Sequence, residues 1–102
     1  MPFATVVDSA VFHCIGDDPS QQKYVEAFTP LVKQGGHLVM LIFSDKNPDP
    51  WIGPRRIPEA HLRASFAPEH GWEIVELEES KYHDTMRAGG YGLAWRMVAR
   101  RL

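Results

Sequence analysis

The run Leu-Val-Met-Leu-Ile-Phe, from Leu38 to Phe43, constrains the fold of this chain more than any other segment. Six consecutive apolar residues without polar alternation are typical of a strand covered on both faces, as in a parallel sheet. Because a membrane-spanning helix needs roughly 20 apolar residues, the run does not predict a membrane span. We therefore expect a buried strand over 37–44.

A strand and a helix are predicted before this run. Small and β-branched residues over 4–8 predict a first, buried strand. Asp18, followed by Pro19 and by Gln21 three residues later, is typical of a capping box at the start of a helix over 19–33. Its apolar stripe is formed by Tyr24, Phe28, Leu31 and Val32, and Gly35-Gly36 is predicted to end the helix. Strand, helix and strand in this order predict a right-handed βαβ unit.

The second half of the chain has a different pattern. A loop over 45–56, rich in Pro and Gly, is long for a compact domain, and such loops often carry function. A short helix is predicted over 58–67 and a strand over 72–79. The last strand, 91–101, alternates apolar and polar residues, which is typical of an antiparallel strand. The last two strands should therefore pair as a wide hairpin.

Composition bounds the function classes. The 102 residues are enough for a single domain. A formal charge of −2 gives no basic footprint for nucleic acid. Cys14 is the only cysteine, which predicts no internal disulfide and fits the reducing cytoplasm. His13 is adjacent to Cys14, but adjacent residues on one segment do not usually face each other and no third orienting group is evident, so we interpret Cys14 as a buried bystander. His61, His70, His83 and Asp84 lack the spacing of a metal site, and none is predicted.

Several motifs resemble the second half of a class I S-adenosylmethionine (SAM)-dependent methyltransferase of the small-molecule, bacterial type. Phe3-Ala-Thr-Val-Val-Asp-Ser9 resembles the family's strand-4 motif FD-x-V-x-D-S, with Ala4 in place of the aspartate, and Val11-Phe12-His13 resembles its continuation. The segment 31–40 resembles the L-x-P-G-G-x-L motif before strand 5, with Gln34 in place of the proline. Phe43-Ser-Asp45 and Gly53-Pro-Arg-Arg56 resemble the substrate-side loop, and Trp95 fits the closing strand.

The resemblance implies an α/β fold, half of a Rossmann-like methyltransferase sheet. The family's sheet has strand order 3-2-1-4-5-7-6 with strand 7 antiparallel. The four strands predicted here would be strands 4, 5, 6 and 7, in spatial order 4-5-7-6, with two main helices. Residues 1–102 would then be a single partial domain, the C-terminal half of the fold.

The resemblance also implies site residues at the carboxyl ends of the first two strands, where open α/β sheets bind ligands. The predicted cofactor contacts are Asp8, Ser9 and Ala10. His13 is the candidate catalytic base for a hydroxyl, amine or thiol acceptor. The predicted substrate contacts are Phe12, Ser44, Trp51, Arg55 and Arg56, since arginine can grip a carboxylate or phosphate.

One part of the family pattern is absent from the sequence. The Gly-rich loop after strand 1 and the acidic residue after strand 2, which hold the cofactor, have no counterpart; Gly89-Gly-Tyr-Gly92 precedes an antiparallel strand, not a helix. The chain is therefore predicted to form only part of the SAM site and to be inactive alone. Its partners would be a small-molecule substrate and, at the exposed edge of strand 4–8, either a second copy or a separate N-terminal half.

Two other functions remain open at this stage. The chain is alternatively a non-catalytic binding or scaffold protein that reuses half of the fold and self-associates through the exposed strand edge. A hydrolase built around His13 would need a nucleophile with a base in reach.

Overall fold

The computed structural model describes residues 3–9, 11–48, 55–83 and 91–102. Short 3-10 helices occur at Phe12–Cys14, hereafter the η1 segment, and at Thr29–Leu31 and Pro68–His70. The main elements, in chain order, are β1 (Phe3–Ser9), α1 (Asp18–Phe28), β2 (Val32–Phe43), α2 (Glu59–Ser65), β3 (Trp72–His83) and β4 (Tyr91–Arg101).

The strands form one four-stranded sheet in the order β1-β2-β4-β3. β1 and β2 are parallel, and β4 runs antiparallel between β2 and β3. This confirms the predicted fold class, the order 4-5-7-6 and the hairpin of the last two strands. The antiparallel hairpin follows from the short chain between β3 and β4, which is too short for a crossover.

Side chains on alternate positions give the sheet two different faces. One face carries the core, in which β2 residues Leu38, Met40 and Ile42 lie opposite the β4 residues 99, 97 and 95. On the other face Val7, Val39 and Val98 are cross-strand neighbours on β1, β2 and β4. Beside them, exposed arginines of β4 form ion pairs with glutamates of β3: Arg96 with Glu76 and Glu78, and Arg100 with Glu73.

Helix α1 differs from its prediction at both ends. The N-cap is Asp17, not Asp18: its Oδ1 accepts the Ser20 N–H at 2.8 Å, and this bond lowers the pKa of Asp17. The α-helix ends at Phe28, and the chain continues as a 3-10 turn because Pro30 has no N–H to donate. Leu31 is consequently 52% exposed instead of completing the apolar stripe.

Gly35-Gly36, predicted to end the first helix, lies inside β2. Strand β2 begins at Val32, and the β1–β2 register shifts between the pairs Phe3↔Val32 and Thr5↔His37, so the intervening β2 residues bulge. Gly35 has a φ of 80°, and a Cβ on Gly36 would lie 2.6 Å from the Ala4 carbonyl oxygen. Both glycines are needed here, one for its backbone conformation and one for the close approach of β1.

The first strand was predicted to be buried, and this prediction is wrong. β1 is an edge strand of the described sheet, with Val7 70% and Phe3 60% exposed. The opposite edge, β3, carries four glutamates and a register irregularity between Ile74 and Glu76, which are features that discourage strand addition. The only charged residue of β1 is Asp8, whose side chain is buried, so the β1 edge lacks this protection. Among the described helices, none is long and apolar enough to cross a membrane.

Candidate cofactor and substrate site

The candidate site lies where β1 and β2 end. These strands are parallel, and the pair Ser9↔Leu41 places their carboxyl ends at the same edge of the sheet. The chain enters the η1 segment after β1. After β2, Ser44 forms a parallel bridge with Ile57, which directly precedes α2. The N-termini of both helices therefore lie at the edge where open α/β sheets bind ligands.

Asp8 shapes the turn after β1. Its side chain is only 3% exposed. Oδ1 accepts the N–H groups of Val11 at 2.9 Å and Phe12 at 3.4 Å, and Oδ2 accepts the Tyr24 hydroxyl at 2.7 Å. Burial, together with this bond to Asp8, raises the pKa of Tyr24, so its phenol stays a donor. The carboxylate thus fixes the path of the backbone on which the other candidate residues lie.

The residues after Asp8 separate into core and surface. The Phe12 side chain is fully buried, with its ring 5.8 Å from that of Phe66 and 6.0 Å from that of His61. The structure thus places Phe12 in the core and not on an open crevice wall, because the Asp8 bonds turn the chain inward at this point. Ser9 is exposed. Cys14 is exposed as well, so the prediction of a buried cysteine is wrong.

Gln21 and His61 form a polar contact beside the η1 segment. The side chain of Gln21 is 1% exposed, and its Oε1 lies 2.6 Å from His61 Nε2. Burial and, to a smaller extent, the positive charge of Arg55 lower the pKa of His61, whereas the charge of Asp18 raises it. The imidazole is therefore neutral at pH 7. From the sequence, Gln21 is predicted only as part of a capping box, and no functional role is predicted for His61.

The lowered pKa predicts a pH dependence of stability. Unfolded His61 binds its proton more readily than folded His61. The contribution of neutral His61 to the free energy of unfolding is therefore complete above about pH 6.5 and is lost as the pH falls. We expect the free energy of unfolding to decrease below that pH, and to decrease less in His61→Gln. Urea denaturation at pH values between about 5 and 8 measures the free energy of unfolding. Equal slopes of this free energy against pH in the native chain and in His61→Gln would contradict a lowered pKa of His61.

The loop after β2 is anchored to β4 by Asn47. This side chain is 5% exposed, and its amide pairs with the backbone of Leu93: Nδ2 donates to the carbonyl and Oδ1 accepts the N–H, both at 2.7 Å. Ser44, which is 2% exposed, accepts the Lys46 N–H through Oγ at 3.0 Å. The predicted substrate residue Ser44 is thus part of a tight turn, and Asn47 is the residue that holds this turn.

The two predicted substrate arginines contact other parts of this chain. Arg55 Nη1 lies 2.6 Å from Asp18 Oδ1 and 3.4 Å from Gln21 Oε1. Arg56 Nη1 donates to the Asn47 carbonyl at 2.8 Å. Both guanidinium groups therefore brace the start of α2 against neighbouring segments.

Only some of the predicted site residues are described by the structure and lie together. Asp8, Ser9, Ser44 and Arg55 lie at or near the same sheet edge. Ala10 and Trp51 lie outside the described residues, and for His13 only the backbone is described. Tyr24, Gln21, His61 and Asn47 were not predicted; a polar residue at a helix position facing the core was the available signal for Gln21.

This edge exposes both apolar and polar groups to a ligand. Exposed Val7 and Val11 provide apolar surface, and Ser9 provides a polar group and backbone at the carboxyl end of β1. The Asp8 carboxylate faces inward to its own turn. Among the described residues there is no group of three His, Cys, Asp or Glu side chains arranged to hold a metal ion.

The fold is that of a part of the SAM-dependent methyltransferases. A SAM-dependent methyltransferase from Methanosarcina mazei matches 98% of this chain with a TM-score of 0.77 and 15% identity, over 59% of its own length. The Burkholderia thailandensis 1,6-didemethyltoxoflavin-N1-methyltransferase, solved with bound 1,6-didemethyltoxoflavin and S-adenosylhomocysteine, matches 97% of this chain with a TM-score of 0.73 and 15% identity, over 44% of its own length.

A protein of another activity shares the same architecture. The [4+2]-cyclase SpnF matches 98% of this chain with a TM-score of 0.66 and 15% identity, over 50% of its own length. No family model and no curated protein matches the sequence. The chain therefore spans about half the length of the solved structures it resembles, and these likenesses show the fold alone.

Proposed function

We propose that this chain forms one wall of the site of a SAM-dependent methyltransferase that acts on a small molecule. The observation that carries the proposal is the end of β1, where Asp8 fixes a tight turn at the ligand-binding edge of a methyltransferase-type sheet. The similarity to proteins named as SAM-dependent methyltransferases supports the same chemistry.

Methyl transfer places few chemical demands on the protein. The cofactor supplies a methyl group on a positively charged sulfur, and the acceptor displaces it directly. The chain's own contribution is to align the acceptor and exclude water. We assign His13 as the base that takes a proton from a hydroxyl, amine or thiol acceptor.

The remaining residues divide between the two ligands. Ser9 and Ala10, which follow Asp8 in the sequence, would contact the cofactor. Ser44, Trp51, Arg55 and Arg56 would form the acceptor side, whereas Phe12 belongs to the core and would not contact the acceptor. An acidic acceptor would have to compete with Asp18 for Arg55, because the two side chains already form an ion pair.

The other wall must come from another polypeptide segment, since this sequence has no Gly-rich loop leading into a helix. The β1 edge is the place for it: its side chains are exposed, it lacks protective charges, and a strand can be added there. The chain alone should accordingly bind cofactor weakly and be inactive.

A second candidate is a non-catalytic scaffold that self-associates through the same β1 edge. The contrast between the unprotected β1 edge and the acidic, irregular β3 edge favours it. The fold is also similar to that of a protein named as a cyclase, so the fold alone does not specify methyl transfer.

An NMR titration of the isolated chain with S-adenosylhomocysteine distinguishes these functions. A half-site predicts weak, millimolar binding, with amide shifts concentrated in residues 8–14 and 44–47. Adenosine, which lacks the amino-acid part, serves as the control and should shift fewer of these amides. Absence of shifts at millimolar ligand, or shifts confined to the α1–α2 side of the molecule, would contradict the methyltransferase proposal.

A further inference from the structure

Gln21 is a buried polar side chain that no part of the proposed chemistry uses. It lies in the first turn of α1, but it points away from its own helix. Its Nε2 donates to the carbonyl oxygens of Phe12 at 3.2 Å and Ile15 at 3.0 Å. Its Oε1 accepts from His61 Nε2 at 2.6 Å and from Arg55 Nη1 at 3.4 Å.

These four contacts use the full hydrogen-bonding capacity of an amide, two donors and two acceptor positions. They also fix the roles of the partners. Because Nε2 of Gln21 faces two carbonyls, Oε1 is the acceptor, and His61 must carry its proton on Nε2. A carboxylate at this position would leave both carbonyls unpaired, and an apolar side chain would leave all four partners unpaired.

The contacts join two segments that are far apart in the sequence. Phe12 and Ile15 flank His13 in the turn after β1, whereas Arg55 lies at the end of the loop after β2 and His61 lies in the first turn of α2. The Phe12 ring, 6.0 Å from the His61 ring, adds an apolar contact to the same junction. Within the described residues, Gln21 is the one side chain that bonds to both segments.

We propose that Gln21 is a positioning residue that couples the η1 segment, which carries His13, to the segment that carries Arg55 and His61. The proposal rests on the proposed function, because it is the predicted base and the predicted acceptor side that the amide holds in register. A displacement on either side of the site is transmitted to the other through this amide.

The coupling can be measured on the isolated chain without any cofactor. Titrating His61 changes the charge at one end of the junction, and the ¹³C shifts of the Phe12 and Ile15 carbonyls report the other end. We expect both carbonyl shifts to follow the His61 titration in the native chain. Among the side chains that the structure describes, Asp18, Arg55 and, across the surface groove that His61 lines, His70 are the other charged or titratable groups near the ring.

Gln21→Met keeps the volume and removes the hydrogen bonds, while Gln22→Met makes the same change one residue later, where the side chain contacts His70. We expect Gln21→Met to abolish the coupled carbonyl shift while His61 still titrates. We also expect amide exchange at Cys14 and Ile15 to accelerate about tenfold or more, the equivalent of one or two lost hydrogen bonds. Gln22→Met should leave both readouts unchanged.

Carbonyl shifts that still follow His61 in Gln21→Met, or that are absent from the native chain, would overturn the proposal. If Gln21→Met does not fold, His61→Phe provides the second test. It keeps a ring beside Phe12 and removes one contact of the amide, so the pH-dependent carbonyl shifts should disappear in a folded protein; their persistence would overturn the proposal. Because no cofactor is used, the outcome is independent of the S-adenosylhomocysteine titration.

Discussion

Asp8→Ala is expected to lower the free energy of unfolding by about 3 kcal/mol. The change removes the acceptor of three hydrogen bonds and leaves the buried Phe12 N–H and the half-buried Tyr24 hydroxyl without this partner. Small domains are stable by only about 5–15 kcal/mol, so the loss is a large part of the total. Urea denaturation followed by circular dichroism measures it.

Asp17→Ala is the matched control for this change. Asp17 also accepts a backbone N–H, but it does so at the exposed N-terminus of α1, where water can replace the bond. Its substitution should cost much less than that of Asp8. Tyr24→Phe, which removes one of the three donors, should lie between them. Equal losses for Asp8→Ala and Asp17→Ala would contradict the role assigned to Asp8.

Val7→Lys is expected to abolish self-association of the chain. Light scattering coupled to size-exclusion chromatography should show the native chain as a dimer at concentrations well above micromolar. The substitution places a charge on each copy of an otherwise uncharged exposed strand surface, and lysine on edge strands opposes pairing. We expect association to weaken about tenfold or more, which corresponds to about 1.4 kcal/mol.

Val75→Lys tests whether the effect belongs to the β1 edge. Val75 is 51% exposed on β3, the opposite edge strand, so the chemical change is the same at an edge already protected by glutamates. This variant should associate like the native chain. A native chain that is monomeric at high concentration, or a dimer that resists Val7→Lys and yields to Val75→Lys, would contradict the assignment of the interface.

The positions of the strands were predictable from the apolar pattern. The run Leu38 to Phe43 predicted a central strand, and the alternation over 91–101 predicted the antiparallel one; the sheet confirms both. The run was also predicted to be covered on both faces, but Val39 and Leu41 are only half-buried, because the second face has less cover than the core face in the described residues. The predicted bounds of the elements were less accurate where a proline or a glycine overrides the apolar pattern. Pro30 shortened α1, and Gly35 and Gly36 served a strand bulge instead of a helix end.

The burial of β1 could not be derived from its own sequence. Apolar residues such as Val7 are typical of a covered strand, but only the neighbouring strands decide whether a cover is present. In the described sheet β1 has one neighbour, β2. The family resemblance did predict this exposure, because the motifs found in this sequence do not include the segment that lies beside the corresponding strand of the family.

The position of the candidate site could be predicted from the sequence, but the hydrogen bonds that join its segments could not. The motif around Asp8 and Ser9 located the carboxyl end of β1, as the structure has it. The inward bonds of Asp8 to Tyr24 and the amide junction at Gln21 depend on side chains from distant segments, which no local pattern indicates. Whether Asp8, Ser9 and His13 serve methyl transfer stays a prediction.

Calorimetric titration of S-adenosylhomocysteine tests the central claim, that this chain is one wall of a methyltransferase site. The comparison is between the chain alone and a chimera in which the N-terminal half of the Methanosarcina mazei methyltransferase is joined ahead of Met1. We expect weak binding by the chain and binding at least about a hundredfold tighter by the chimera, equivalent to about 2.7 kcal/mol. A folded chimera that binds no tighter than the chain alone would contradict it.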